Sequence, residues 1–362
     1  MNGLEILLRE RVSHGPITFA EYQATALYHP EFGYYARSQR SGWRGHFLTS
    51  AELDPSFGAL WAVGFRRAWE SLGQPTSFEL IEVGPGEGGF ANAILGVVEG
   101  DFADALTYRL VEPIPALAER QMSLLSTYDN VVWSSSIDEV SRVGNGAVMA
   151  NEALDNLPVH LLEYRGGEFG ELYVQASDSG LELVSGPISS PRISQLIDGA
   201  ELEPSEGQRL EVPSEAVDFV RSCAAAVKTG SVVLVDYGLT WRDIASRPSG
   251  TLVSYSDAGA DDLVLDRPGE KDITSHANWD EVASVLRSAG FEVTGPTPQH
   301  EVLNEFGLPH LDESLAQRHR NLAAEGQGAE ALRTLSRRQA LGVLSDPNGL
   351  GGLEVVIGRR GI

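Results

Sequence analysis

The chain opens on a short amphipathic pattern. Leu4, Leu7, Leu8 and Val12 recur at helical spacing with Glu5 and Glu10 between them, which predicts a helix. The stretch up to about residue 75 is irregular and aromatic, with Tyr28, Phe32, Tyr34, Tyr35, Trp43, Phe47 and Phe57 punctuated by glycine. The pattern then changes. Apolar runs at Phe78 to Gly86, Leu106 to Pro113, Asn130 to Ser135 and Gly146 to Glu152 alternate with helical stretches near Gly89 to Val98 and Ile114 to Ser126. Strands alternating with helices predict a parallel sheet covered on both faces. The region from Leu161 to Pro213 breaks the alternation. Its ELYVQ and LELVSG runs bracket the turn residues SDSG and predict an antiparallel insertion. A helix at Ser214 to Lys228, a buried strand at Ser231 to Gly238, a helix at Trp279 to Ala289, the strand FEVTG and a last strand at Leu353 to Arg360 resume the α/β order. The segment Leu311 to Leu344 reads as helical and arginine-rich.

Composition narrows the class. A chain of 362 residues makes one large domain or two smaller ones, and can bury a full core without disulfides or metals. The single cysteine, Cys223, allows no disulfide within the chain and fits a reducing compartment. The net charge is −24. Such acidity disfavours binding to phosphate backbones or to an acidic membrane surface, and suits a basic partner or plain solubility. No run approaches the roughly 18 apolar residues of a membrane span. The N-terminus lacks a signal-peptide core and is too acidic for a mitochondrial transit sequence. The expectation is a cytoplasmic protein with no nucleic-acid and no membrane partner.

Two places carry candidate chemistry. Glu82-Val83-Gly84-Pro85-Gly86-Glu87-Gly88 follows a strand and precedes a helix. Glycines there let the backbone turn tightly and approach a ligand. Glu112 ends the next strand, 24 residues after Gly88, close to the ~20-residue separation of a ribose-binding acid. The spacing departs from the dinucleotide fingerprint. Pro85 removes an amide donor, and Glu82 would repel pyrophosphate while suiting the ammonium or sulfonium of S-adenosylmethionine. Three readings stand at this point: adenosylmethionine, a dinucleotide, or a purely structural turn.

The second place is Asn151-Glu152-Ala153-Leu154-Asp155-Asn156-Leu157-Pro158, at the carboxyl end of a central strand where ligands of open α/β sheets sit. Asn151 offers an amide for a nucleophile or for the cofactor's amino acid part. Glu152 and Asp155 would share the face of a helical turn beginning there and could grip a guanidinium with paired hydrogen bonds. The competing reading is a helix N-terminus, where acids and Asn serve as caps. Thr49 or Ser50 could cap a following helix at about Gly58 to Glu70, or the loop could cover a cofactor. His29, His46, His160 and His276 stand singly, and no Gly-x-Ser-x-Gly elbow occurs. No metal and no covalent nucleophile are expected.

Several ordered motifs together carry a resemblance. Tyr28-His29-Pro30-Glu31-Phe32-Gly33-Tyr34-Tyr35, Gly45-His46-Phe47-Leu48-Thr49-Ser50-Ala51-Glu52, the glycine turn, the Asn151 to Pro158 segment, Asp236-Tyr237-Gly238 and Asp272-Ile273-Thr274-Ser275-His276-Ala277 occur in that order. This series resembles the MidA family of S-adenosylmethionine-dependent methyltransferases, from about Ile17 to the last strand. The resemblance implies a class I, Rossmann-like α/β fold. Its sheet has seven mostly parallel strands with helices on both faces, and antiparallel and helical insertions at about 161–213 and 311–345. Residues 1–75 would form an N-terminal extension covering the site, and 76–362 the cofactor-binding domain. By the same resemblance Glu82, Gly84, Pro85, Gly86 and Gly88 cradle the cofactor's methionine part, Glu112 its ribose, and Ser136 and Ile137 its adenine. Asn151 and Glu152 face the methyl group, with Asp155 beside them as further catalytic support. Thr49 and Ser50 close over the cofactor, while Glu52, Asp155 and Tyr35 meet the substrate.

The mitochondrial member of that family is a protein arginine methyltransferase acting on a complex I subunit, so the resemblance implies a protein substrate, a respiratory-complex subunit included. Three departures lie on the substrate side. Glu87 stands where the family carries arginine, Ala153-Leu154 where it carries two aromatics, and no histidine-containing stretch occurs around Ser254 to Ala260. The expected activity is N-methylation of a protein arginine. The competing expectations are another acceptor, a non-catalytic cofactor-binding assembly factor, and a nicotinamide-dependent oxidoreductase.

Overall fold

Seven apolar runs assemble into one sheet in a computed structural model that describes residues 2–36, 49–178, 180–200 and 202–361. Its strands are β1 (Phe78–Val83), β2 (Leu106–Val111), β3 (Val131–Ser134), β4 (Val143–Asn151), β5 (Val227–Asp236), β6 (Glu292–Pro298) and β7 (Glu354–Arg360). Their order across the sheet is β6-β7-β5-β4-β1-β2-β3. The strands from β5 to β3 run parallel, and β7 runs antiparallel to both its neighbours. This is the seven-stranded, mostly parallel sheet that the resemblance implies, with its last strand reversed.

Alternate side chains of each strand enter different cores. Leu80, Met149, Val233 and Val355 face one core, closed by the helices Ser56–Ser71 and Gly89–Leu95 and by the C-terminal helices Leu308–Ala324 and Gly328–Ser345. Ile81, Val148, Leu234 and Val356 face the other, closed by Ser214–Ala226 and Trp279–Ser288, with Cys223 buried inside it. A strand buried on both faces must be apolar throughout, which is why β4 and β5 read as unbroken runs. Two glycines let these central strands meet. Gly230 has φ +134°, and a Cβ there would lie 1.8 Å from the Gly146 carbonyl oxygen.

The inserted segment forms a separate antiparallel sheet. His160–Arg165, Glu168–Ser177, Gly180–Gly186 and Arg209–Val212 make it up, and Ile17–Thr18 from the N-terminus adds an edge. The helices Gly3–Ser13 and Phe19–Tyr28 bury Leu4, Leu8, Phe19 and Tyr22 against Leu161, Leu172 and Val174 of this sheet. The described parts of the first 75 residues therefore serve two cores, since Ala51, Leu53 and Ser56–Ser71 pack on the large sheet while residues from Leu4 to Tyr35 pack on the insertion. Among the described residues, no helix is long and apolar enough to cross a membrane. Gly45 to Leu48, together with Trp43, lies outside the described residues.

Gly230→Val should destabilise the chain by more than about 3 kcal/mol, because strain and a backbone clash coincide. Gly144→Ala, where a Cβ meets nothing within 4 Å, should stay within about 1 kcal/mol of the parent. Urea midpoints of the two variants check the contrast.

Candidate active site

The parallel ladder brings the strand exits into one row. Val83 pairs with Val111 and with Ala150, and Val235 pairs with Asn151. The bonding runs one residue further. Gly84 N–H donates to Val111 O at 3.2 Å, Glu112 N–H to Ser134 O at 3.0 Å, and Glu152 N–H to Val235 O at 2.7 Å. Glu112 and Glu152 follow their strands directly, and β5 ends on Asp236. Register alone thus lines up three carboxylates beside the glycine turn, at the carboxyl edge where α/β sheets bind ligands.

Gly84, Gly86 and Gly88 have φ of +72°, +53° and +84°, a left-handed path that glycine follows without a Cβ penalty. A Cβ on Gly84 would come 3.4 Å from the Ala153 Cβ, and one on Gly86 would come 3.8 Å from Glu52 Oε1. The turn therefore faces both the Glu152 loop and the segment carrying Glu52. Gln121 Nε2 ties the turn to its acidic partner, donating to Gly86 O at 2.7 Å and to Glu112 Oε2 at 3.2 Å. Glu112 Oε1 accepts from Ile114 N–H at 2.8 Å. Glu82 accepts from the Tyr108 hydroxyl at 2.7 Å. Glu87 takes two bonds from the Arg120 guanidinium, at 2.9 and 3.2 Å.

The Asn151 to Pro158 segment corrects an expectation. No helical turn begins there, and Glu152 itself has φ +49°. The cause is remote in sequence. Asp236 Oδ2 accepts from Leu154 N–H at 2.8 Å and Asp155 N–H at 3.2 Å, and Oδ1 accepts from Tyr237 N–H at 2.8 Å. Backbone donors that a helix would leave open are taken up by this one carboxylate. Glu152 Oε1 accepts from Ser50 N–H at 2.9 Å and Asn151 Nδ2 at 3.1 Å. Asp155 Oδ1 is buried without a hydrogen-bond partner.

A second arm reaches the cluster from the N-terminus. Tyr35 donates to Asp272 at 3.1 Å, as does Asn156 Nδ2, and Tyr28 stacks on Tyr35 with ring centroids 5.5 Å apart. Tyr28 also donates to Asn156 O at 3.2 Å. Thr49 precedes the four-residue helix Ser50–Leu53 and makes no side-chain cap bond. Neither Thr49 nor Ser50 caps the longer helix. A short helix intervenes, Pro55 holds the N-cap position of Ser56–Ser71 with no side-chain cap bond, and Asp54 accepts from Ser56 N–H at 2.8 Å. Ser136 spends its hydroxyl on Asp138 N–H, and Ile137 is buried in the second core; neither is hydrogen-bonded to the carboxylates. Pro85 accepts from Gly88 N–H at 2.9 Å through its carbonyl and so closes the turn. Asp236 and Asp272 entered the sequence reading only as motif members. An apolar run ending in an acid, as in SVVLVD, was the signal available for Asp236.

Burial governs the electrostatics. It raises Glu82 and Glu152 to about 8 and Glu112, Asp236 and Asp272 to about 7, against the bonds described above that oppose it. Asp155 is also raised, by burial first and then by the charges of Asp236, Asp272 and Glu152. Among the described residues, no Arg, Lys or His forms an ion pair with Glu82, Glu152, Asp155, Asp236 or Asp272. Nor is any group of three or more His, Cys, Asp or Glu placed to hold a metal ion among them. Among the described residues these five acids are paired with no cation, an arrangement that suits a cationic ligand. A glycine cradle that a Cβ would narrow, the Glu112 carboxylate at the end of the neighbouring strand and further acids nearby fit an adenosyl sulfonium with its ammonium group.

This sheet and this edge define an S-adenosylmethionine-dependent methyltransferase. The chain belongs to the family described as "Putative S-adenosyl-L-methionine-dependent methyltransferase", whose model matches residues 60–297. It is 28% identical over 333 residues to a Caenorhabditis elegans protein named "Protein arginine methyltransferase NDUFAF7 homolog, mitochondrial", covering 85% of this chain and 76% of that one. It is 27% identical over 340 residues to the human "Protein arginine methyltransferase NDUFAF7, mitochondrial", covering 84% and 73%. A crystal structure of a protein from Burkholderia thailandensis bound to S-adenosyl-homocysteine superposes with a TM-score of 0.85 at 26% identity, covering 99% of this chain and 92% of that one. The cofactor is S-adenosylmethionine. The expectation of a cytoplasmic protein is overturned, since these curated relatives are mitochondrial by name.

The raised carboxylates fix a pH response. Each folded value lies above the ordinary value near 4, so the stability it contributes is complete below about 4 and is lost as pH rises to 7–8. The cofactor-free protein should therefore melt progressively lower between pH 5 and 8. A cationic cofactor favours the ionised acids, so its binding at pH 7 should release roughly one proton or more. Calorimetry in two buffers of different ionisation enthalpy measures that release.

Proposed function

We propose that this chain transfers the methyl group of S-adenosylmethionine to a guanidinium nitrogen of a protein arginine, with Glu152 and Asp155 as the acceptor-binding carboxylates. The observation that carries this reading is the pair of half-buried acids beside the glycine turn, one with a buried, open oxygen at Asp155 Oδ1 and neither ion-paired among the described residues. A guanidinium presents a planar fork of donors and stays charged, with a pKa above about 12. The arginine methyltransferase names of the relatives support the same acceptor. A respiratory-complex subunit, expected from the resemblance, is the finer reading of the protein partner.

The bound cofactor supplies a methyl carbon on a positively charged sulfur, open to in-line displacement. Gly84, Gly86 and Gly88 let the backbone come close to its methionine part, with Glu82 and Pro85 in the same turn. Glu112 would take its ribose hydroxyls, and Ser136 and Ile137 would border its adenine. Thr49 and Ser50 would close over it. Ser50 N–H and Asn151 Nδ2 hold one oxygen of Glu152, which leaves the other for an arginine N–H. Asp155 takes the opposite arm of the fork, and Glu52 and Tyr35 line the approach. Glu152, raised to about 8, is matched to receive the proton that a methylated nitrogen sheds near neutral pH.

Glu152→Gln should lower methyl transfer by roughly 100-fold or more while leaving cofactor affinity within about threefold. Tritiated methyl incorporation into a mitochondrial protein extract, with methylarginine identified by mass, reads the first. Calorimetry reads the second. Full activity in this variant, or label on a residue other than arginine, would overturn the reading.

A further inference from the structure

Two buried polar residues from remote parts of the chain, Gln299 and Ser50, form one line that ends at Glu152. Gln299 is fully buried at the start of the helix Gln299–Glu305, directly after β6. Its Nε2 donates to Ser50 Oγ at 2.9 Å and to Leu350 O at 2.8 Å. Its backbone N–H donates to Leu353 O at 2.6 Å, fastening it to the turn that enters β7. Ser50 is likewise fully buried, and its N–H holds Glu152 Oε1 at 2.9 Å. The amide orientation follows from its partners, because exchanging nitrogen and oxygen would set two carbonyl oxygens against each other at Leu350.

The arrangement is expensive for a merely structural contact. Gln299 Oε1 is buried with no partner. A buried acceptor left unsatisfied costs about 1–3 kcal/mol, and an apolar side chain of the same shape would avoid that cost. Retaining the amide makes sense if its direction matters. The segment that it holds is also the one the active site uses. Ser50–Leu53 carries Glu52 next to Gly86. The same segment is tied a second time from the C-terminal helices, where Arg337 donates to Ser56 Oγ at 3.1 Å and lies 3.6 Å from Asp54. A four-residue helix has little stability of its own, so these outside bonds set where it stands.

We propose that Gln299 is a positioning residue for methyl transfer, acting through Ser50 to hold the Glu152 carboxylate in place. This rests on the reading of Glu152 as an acceptor-binding group. The groups that face Glu152 are Ser50 and Glu52 from the short helix, Asn151 and Asp155 from its own loop, and Asp236 and Tyr237 from the end of β5. Of these, the Ser50 N–H is the one whose position Gln299 governs. Loosening it removes a bond that favours the ionised carboxylate, so the Glu152 pKa rises.

The test reads Glu152 itself. Protein labelled with carbon-13 at the glutamate carboxyls is titrated by NMR, with the Glu152 signal assigned by its loss in Glu152→Gln. Gln299→Met should move that titration upward by about one pH unit, the size expected for a weakened bond to a charged group. Ser50→Ala, which keeps the Ser50 N–H and Gln299's bond to Leu350 O, should move it in the same direction. The double variant should go no further than the larger single one. An unchanged Glu152 titration in a folded Gln299→Met protein overturns the proposal. So does additive behaviour of the two changes. If Gln299→Met fails to fold, Ser50→Ala decides alone: an upward shift supports the relay and an unchanged titration rejects it. Failure of the underlying reading looks different, since full methyl transfer by Glu152→Gln removes the role of Glu152 whatever the titration shows.

Discussion

The molecule is organised around a cluster of buried and half-buried carboxylates with which the described residues form no ion pair. Glu82, Glu152, Asp155, Asp236 and Asp272 crowd the carboxyl edge of the sheet, and the described residues place no basic side chain in an ion pair with any of them. A buried charge without a partner is costly, and such groups respond by taking up protons. The fold tolerates them by supplying N–H and O–H donors in place of cations: Tyr108 for Glu82, Ser50 and Asn151 for Glu152, the Leu154 and Asp155 amides for Asp236, and Tyr35 and Asn156 for Asp272. A site built in this way gains most when a positively charged ligand enters it. Methyl transfer from a sulfonium to an arginine brings two such charges.

The additions to the sheet have roles in that setting. The N-terminal segment brings Tyr28 and Tyr35 to Asp272 and Ser50 to Glu152, and it is anchored on the inserted antiparallel sheet. The C-terminal helices fasten the same segment from behind through Arg337, and Gln299 holds it from the turn before β7. Parts that look peripheral along the chain thus converge on the first turn after β4.

Legibility in the sequence followed locality. Strands buried on both faces announce themselves as apolar runs, so β1, β2, β4 and β5 were readable within a few residues. The glycine turn and Glu112 were readable because both lie within one strand–helix–strand unit. The Glu152 loop was misjudged because its conformation is set by Asp236, more than eighty residues later. Asn and acids after a strand fit a helix cap equally well when only neighbours are seen. Whether Thr49 and Ser50 cap the following helix was left open by the sequence for a similar reason, since the partners of Ser50 are the distant Glu152 and Gln299. The Tyr108–Glu82 and Gln299–Ser50 bonds leave no local trace. They depend on register and packing that only the folded chain supplies.

The central claim is that the glycine turn and its acids hold a cationic adenosyl cofactor. A calorimetric titration with S-adenosylmethionine, repeated with NAD and with the Gly84→Val variant, tests it most directly. Gly84 lies in the left-handed region with the Ala153 Cβ 3.4 Å from where its own Cβ would stand, so valine both strains the turn and narrows the cradle. The account predicts that the parent binds S-adenosylmethionine and not NAD, and that the folded variant binds neither. A folded parent that ignores S-adenosylmethionine, or a Gly84→Val protein that binds it as tightly as the parent, would contradict it.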